Sequence, residues 1–188
     1  MKKVLIINGS PRTNGATSQV LAEIEKGLKK SGISCVDYQL NKLTFKGCQG
    51  CMGCKKLGYC CVHDDLSPVL QELKNADGIV IGTPIYMFAV SGQTKLFMDR
   101  LYSLIDHDYK PYSGTERKLL TVYSMGNPSE NAYVNEQNRV KDAMKLVGLQ
   151  ETIRLSVPGN NVYEYPAKLS ETLMRQAFTA GEKFSSTL

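Results

Sequence analysis

The strongest constraint on this chain is the way its apolar pattern changes period along its length. Residues 3–8, a continuous apolar run, and residues 33–40, 77–82, 118–124 and 151–157 read as strands and are too short for helices. Between them lie segments of helical period, at 18–30, from Asp65 or Ser67 to about 75, from Ser91 to about 105, at 131–147 and at 166–184. In the first of these Val20, Leu21, Ile24 and Leu28 share one face, and Gly32 supplies a stop. Strands that alternate with helices pair in parallel through right-handed crossovers and place helices on both faces of the sheet. The pattern predicts an α/β fold: three layers, doubly wound, around a five-stranded parallel sheet. Only residues 46–63 fit neither period, and they read as a Cys-rich insertion at a loop of a single domain spanning 1–188.

A chain of 188 residues buries a sizeable core without disulfide staples. It has no apolar run long enough to span a bilayer. The opening Met-Lys-Lys carries a basic pair, but the apolar run behind it, Val4 to Ile7, is too short for a secretory core. A cytoplasmic protein is expected. The net charge of +5 is spread without a basic stripe or a recognisable module, which argues against nucleic acid and leaves a mild preference for anionic ligands.

The first strand runs directly into Asn8-Gly9-Ser10-Pro11-Arg12-Thr13-Asn14-Gly15-Ala16-Thr17-Ser18. This is the strand-to-helix turn at which open α/β sheets present ligands. A helix N-terminus offers unpaired N–H groups and partial positive charge. Gly9 and Gly15 allow close backbone approach; Ser10, Asn14, Thr17 and Ser18 add short polar groups, and Arg12 can pair with a phosphate. A dinucleotide fingerprint would need Gly-x-Gly-x-x-Gly, and an NTPase loop Gly-Lys-Ser/Thr; neither is present. Hydroxyls without that lysine suit a phosphate monoester held without Mg²⁺. The alternative is an ordinary turn with an N-cap.

The stretch after the third strand, Thr83-Pro84-Ile85-Tyr86-Met87-Phe88-Ala89-Val90, reads as a loop. Exposed apolar and aromatic residues there need a partner, and a flat ring is a good one; a core cap or a subunit interface is the other reading. Taken with Gln93 to Arg100, the two segments resemble the NAD(P)H-dependent FMN reductase superfamily of flavodoxin-like proteins, in order and over nearly the whole chain. The resemblance implies strand order 2-1-3-4-5. It also implies FMN, with phosphate contacts from Ser10, Arg12, Asn14, Thr17 and Ser18 and ring contacts from Pro84, Ile85, Tyr86, Met87, Phe88 and, more weakly, Gly126. It implies a homodimer, or a dimer of dimers, with the helix after Ser91 at its interface.

Five of the six cysteines crowd into residues 48–61, which in a reducing compartment argues for metal, cluster or redox chemistry. Cys35 stands apart and reads as a small core residue. Cys48-x2-Cys51-x2-Cys54-x5-Cys60 resembles the compact motif of the iron–sulfur flavoproteins, a branch of the same superfamily, which implies a [4Fe–4S] cluster on those four residues. Zinc, a redox-active thiol pair and a loop with no metal stand beside it, and Cys61 competes with Cys60 as the fourth ligand. His63 and His107 are isolated; Asp64 and Asp65 read as helix caps, and Lys95 with Asp99 as an i,i+4 pair.

The function these readings imply is transfer of electrons from NAD(P)H through FMN to a small-molecule acceptor, quinone-, nitro- or flavin-like, with or without the cluster. No side chain is singled out as catalytic, because a flavin itself carries the chemistry. The rival is an iron–sulfur flavoprotein that exchanges electrons with a ferredoxin-like partner without turning over NAD(P)H.

Overall fold

The computed structural model describes residues 1–114 and 116–188. Its parallel strands are β1 (Lys3–Asn8), β2 (Ser34–Gln39), β3 (Gly78–Tyr86), β5 (Arg117–Ser124) and β6 (Leu149–Val157). A two-residue strand, β4 (Ala89–Val90), folds back antiparallel on the end of β3. The helices are α1 (Ala16–Lys30), α2 (Cys54–Leu57), α3 (Leu66–Asn75), α4 (Gly92–Arg100), α5 (Val134–Leu146) and α6 (Glu171–Ser185).

The order across the sheet is β2-β1-β3-β5-β6. This is the expected 2-1-3-4-5 order once the short β4 is set aside, so the sheet has six strands rather than five. The apolar runs divide their side chains between the two faces by simple alternation. Val4, Ile6, Val80, Leu120 and Val122 meet α1 and α6 on one face. Leu5, Ile7, Ile79, Ile81 and Leu119 meet α3, α4 and α5 on the other. The predicted face of α1, Val20, Leu21, Ile24 and Leu28, is buried. Helices α1 and α6 cross backbone to backbone: a Cβ on Gly27 would fall 2.1 Å from Phe178 O, and one on Gly181 2.2 Å from Ile24 O.

Several boundaries differ from the sequence reading. Residues 83–90 are not an open loop. β3 continues through Pro84 to Tyr86, and Ile85 and Tyr86 pair with Val90 and Ala89. Pro84 is tolerated there because β1 stops flanking β3 at Gly82, and a proline lacking an N–H is accepted on a free strand edge. Helix α1 starts at Ala16, so Thr17 and Ser18 lie in its first turn instead of ahead of it. Ser91 caps α4 as expected, accepting from Thr94 N at 3.3 Å, but the α-helix ends at Arg100 and residues 101–104 tighten into a 3-10 turn. The last helix begins five residues late, at Glu171, capped by Ser170. Lys95 and Asp99 form the expected exposed pair at 2.5 Å. Cys35 is half-buried on the edge strand β2, and burial pushes its thiol up to about 11.

The ends of β1 and β3 and the start of α4 meet at a buried set of hydroxyls. Ser91 Oγ donates to Gly9 O at 2.7 Å; Thr94 Oγ1 donates to Thr83 Oγ1 at 3.0 Å, which donates to Pro84 O at 3.1 Å. Gly9 N also donates to Gly82 O at 2.8 Å. Any Cβ on Gly9 would fall 1.8 Å from Thr94 Oγ1. Gly9→Ala should therefore lose about 1–3 kcal/mol by overpacking, and Thr94→Ala a similar amount through its lost hydrogen bonds. Chemical denaturation of the double variant should show a loss clearly smaller than the sum, because removing Oγ1 removes most of the clash. Additive losses would mean the two residues do not meet.

Candidate flavin and cysteine sites at the carboxyl edge

Residues 9–18 turn from β1 into α1, and most of their polar side chains are spent on shaping the turn. Asn8 Oδ1 accepts from Ser10 N at 2.9 Å, and Asn8 Nδ2 donates to Ser18 Oγ at 2.9 Å. Ser18 Oγ then donates to Arg12 O at 2.8 Å. What remains directed at ligand is the helix end itself. Gly15 occupies the N-cap with no side-chain cap, and the first turn holds no acidic residue. The amides of that turn therefore keep their partial positive charge uncompensated.

This helix end opens into a hollow shared with Ser10, Thr17, Pro84, Ile85, Tyr86, Ser124, Gly126, Asn160 and Val162. Thr17 and Ser124 hydroxyls lie 2.6 Å apart in it. The enclosed space is about 90 Å³, well below the roughly 300–1,000 Å³ of a pocket that buries a whole ligand. A space of this size suits a small polar group and is too small for a fused ring system. Larger hollows of about 630 and 720 Å³ exist, the first at the amino ends of β5 and β6 and the second along β6 and α6. Neither includes a residue of 9–18, and neither has a helix N-terminus with an uncapped first turn.

The rim is the β3–β4 hairpin. Tyr86 is 43% exposed, Met87 91% and Phe88 77%. Met87 and Phe88 both adopt positive φ, 46° and 68°. A two-residue turn with two such angles is the type I′ turn that normally takes Asn-Gly. Non-glycine residues held there cost of order 1–3 kcal/mol each. Helix α5 steadies the hairpin: Val90 N donates to Glu136 Oε1 at 3.2 Å, and the Phe88 and Tyr133 rings meet edge-on at 6.1 Å.

Of the residues singled out from sequence, Ser10, Arg12, Thr17, Pro84, Ile85, Tyr86 and Gly126 line this one hollow. Met87 and Phe88 stand on its rim. Ser18 serves the loop, and Asn14 is exposed. Arg12 turns away: its guanidinium donates to Val162 O at 3.0 Å and Glu164 O at 3.1 Å, and stacks 4.9 Å from the Tyr165 ring centroid. Tyr165 Oη lies 3.0 Å from Thr13 Oγ1 and accepts from Asn14 N, contacts that hold the phenol below its ordinary value. Sequence reasoning missed this clasp and the wall it holds, Asn160 to Ala167. The turn composition Pro158-Gly159-Asn160-Asn161, at the carboxyl end of the fifth parallel strand, was the available signal. Ser124 was missed because it is the last residue of a strand.

The insertion at 46–63 is closed at its neck. Asp64 Oδ2 accepts from Lys46 N at 3.1 Å, and Asp65 Oδ2 from Thr44 N at 2.7 Å. Asp64 also accepts from Leu66 N, so it caps α3 as expected, whereas Asp65 does not. Burial works against the Asp64 carboxylate, but the hydrogen bond from Arg100 and the amides of Lys46 and Leu66 outweigh it and hold its pKa below the usual range. The short α2 is pinned from outside: Lys55 Nζ donates to Tyr102 O and Ile105 O, both at 2.7 Å, and Tyr112 Oη donates to Cys54 O at 3.1 Å.

All five cysteines, Cys48, Cys51, Cys54, Cys60 and Cys61, line a single hollow of about 80 Å³ with Arg100 and Tyr102. Burial pushes the Cys54 thiol up; Lys55 opposes, and the nearby Cys60, Cys48 and Cys51 add to the rise. Among the described residues no three His, Cys, Asp or Glu side chains converge on one ion position. Cysteine sulfur is the donor type that an iron–sulfur cluster takes, and five such sulfurs line this one hollow.

Residues 2–143 match the family model described as NADPH-dependent FMN reductase. An iron-sulfur flavoprotein of Methanocaldococcus jannaschii is 41% identical over 103 residues, 52% of this chain and 51% of the relative. This chain thus spans about half the length of that relative. An iron-sulfur flavoprotein of Archaeoglobus fulgidus is 27% identical over 187 residues, 98% of this chain and 79% of its own. A solved NAD(P)H:quinone oxidoreductase from Methanothermobacter marburgensis superposes with a TM-score of 0.71 at 16% identity, covering 97% of this chain and 96% of that one. The fold is of the flavodoxin-like class.

The hairpin makes a prediction that stands apart from any ligand. Met87→Asn with Phe88→Gly should raise the thermal stability of the ligand-free protein by about 1–2 kcal/mol, because both residues then suit positive φ. A fall in melting temperature would show that the hairpin is not strained.

Proposed function

We propose that this chain, which belongs to the NADPH-dependent FMN reductase family, is an FMN-dependent oxidoreductase that takes electrons from NAD(P)H and passes them to a quinone-, nitro- or flavin-like acceptor. Cys48, Cys51, Cys54 and Cys60 hold a [4Fe–4S] cluster in this reading. The observation that carries it is the uncapped end of α1 opening into the same hollow as Ser10, Thr17 and Ser124, directly beneath a strained, exposed aromatic hairpin.

When bound, FMN supplies the redox-active ring that takes two electrons from a nicotinamide and returns them to an acceptor. The chain supplies placement. The first-turn amides of α1 and the hydroxyls of Ser10 and Thr17 take the phosphate, the strongest anchor because its charge meets the helix end. Pro84 and Ile85 pack against the inner edge of the ring. Tyr86, Met87 and Phe88 cover one face and keep water from it, which is what their strain secures. Arg12 acts through the clasp with Tyr165, holding Asn160 to Val162 as the far wall. No side chain is assigned a proton transfer.

The other parts of the reading follow from position and chemistry. Met87, Phe88 and Leu96 are exposed on the hairpin and on α4, and a homodimer, or a dimer of such dimers, would cover them. Five closely spaced free thiols suit a reducing cytoplasm. No described helix is long and apolar enough to cross a membrane. The cysteine hollow also favours a second reading, an electron-transfer protein that serves a ferredoxin-like partner without turning over NAD(P)H.

Two measurements test these assignments. Ser10→Ala with Thr17→Val should weaken FMN binding at least tenfold, about 1.4 kcal/mol, and riboflavin binding much less, since riboflavin lacks the phosphate. Equal losses for the two ligands would remove the phosphate role. Anaerobic mixing of the FMN-loaded protein with NADH or NADPH should bleach the flavin band within seconds. If neither reduces it and reduced ferredoxin does, the electron-transfer reading replaces the reductase.

A further inference from the structure

Arg100, the last residue of α4, is 1% exposed, yet it carries a full charge away from water. A guanidinium has five N–H donors, and all five are used here. Nη1 donates to Lys46 O at 2.8 Å and Asp64 Oδ2 at 2.7 Å; Nη2 donates to Val62 O at 2.9 Å and Asp64 Oδ1 at 3.3 Å. The fifth, Nε, donates to Cys60 Sγ at 3.1 Å.

Four of these contacts have plain structural reasons. They close the neck of the insertion and pair the charge. The fifth is different. A neutral thiol is a poor acceptor, whereas a thiolate or a cluster-bound sulfur is a good one, and a charge-assisted bond is about twice as strong as a neutral one. Leaving a buried cationic donor without an acceptor is costly. Arg100 thus offers the Cys60 sulfur a charge-assisted hydrogen bond of the kind that a cluster-bound sulfur accepts well. Cys61 lines the same hollow but is not the sulfur that Arg100 touches: Cys61 Sγ packs over Gly53, 2.2 Å from where a Cβ on that glycine would stand, and hydrogen-bonds with Cys51.

Resting on the cluster reading above, we propose that Arg100 is the positioning residue of the cysteine site: it makes Cys60 rather than Cys61 the fourth ligand and raises the reduction potential of the cluster. Asp64 pairs the guanidinium charge, so the effect on potential comes through the hydrogen bond to sulfur. That bond strengthens as electron density on the sulfur increases, so it stabilises the reduced cluster over the oxidised one.

The test uses the full chain, reconstituted anaerobically with ferrous iron and sulfide, with iron and sulfide counted per chain and the midpoint potential followed by EPR. Cys61→Ser should retain wild-type iron, and Cys60→Ser should lose at least half of it. Arg100→Lys keeps a charge for Asp64 but has no planar fork to reach Cys60 as well. It should keep FMN binding and shift the reduced-to-oxidised ratio at fixed potential at least tenfold toward oxidised, equivalent to about 59 mV for one electron. An unchanged potential in iron-loaded Arg100→Lys would overturn the role in tuning. Iron lost from Cys61→Ser and kept by Cys60→Ser would overturn the ligand choice, and that arm stands even if Arg100→Lys fails to fold. Wild-type protein that takes up neither iron nor sulfide would defeat the cluster reading and this inference together, an outcome distinct from either of the others.

Discussion

The site depends on three buried hydroxyls, those of Thr83, Ser91 and Thr94, none more than 1% exposed. They join the end of β1, the end of β3 and the start of α4. Each hydroxyl proton has an acceptor within the set or on a nearby carbonyl. That satisfaction matters because a buried polar group left unpaired costs about 1–3 kcal/mol, whereas a complete network stiffens its surroundings. The three elements held here carry the phosphate turn, the aromatic hairpin and the helix that leads to the cysteines. Helix α4 has nine residues, a rise of about 13.5 Å at 1.5 Å per residue. It runs as one rigid strut from the hydroxyls at Ser91 to the guanidinium at Arg100.

Stability is given up at the places a ligand would touch. The end of α1 has no cap, the turn after β3 forces two bulky residues to positive φ, and the five thiols face one hollow. Other parts of the chain follow local rules: Ser91 and Ser170 cap their helices, and glycines stand where α1 and α6 touch. Several local rules broken together at one edge of a sheet are the usual mark of a functional edge.

Much of this was legible without the structure, and the reasons are local. The strands read correctly because alternate residues of a fully buried parallel strand face two cores, so nearly every position must be apolar. The turn at residues 9–18 was legible as a strand-to-helix turn because its glycines and short polar residues are contiguous. The hairpin was misread as an open loop. Its turn residues, Met87 and Phe88, are the opposite of those that favour a type I′ turn, so nothing local signals the reversal. Arg12 was legible as a cation near a phosphate turn but not as a clasp, since its partners lie about 150 positions along the chain.

The amino-acid sequence by itself determined the layer order, the parallel sheet, the strand-to-helix turn at residues 9–18 and the grouping of five cysteines. Each follows from period, composition or spacing within a short window. The tertiary structure decided which hydroxyls shape the turn and which face the hollow, that residues 160–167 form its far wall, and that Arg100 reaches Cys60 and not Cys61. The last two outcomes depend on contacts between residues 40 to 152 positions apart. Such contacts are fixed by backbone geometry and burial, which no local pattern records.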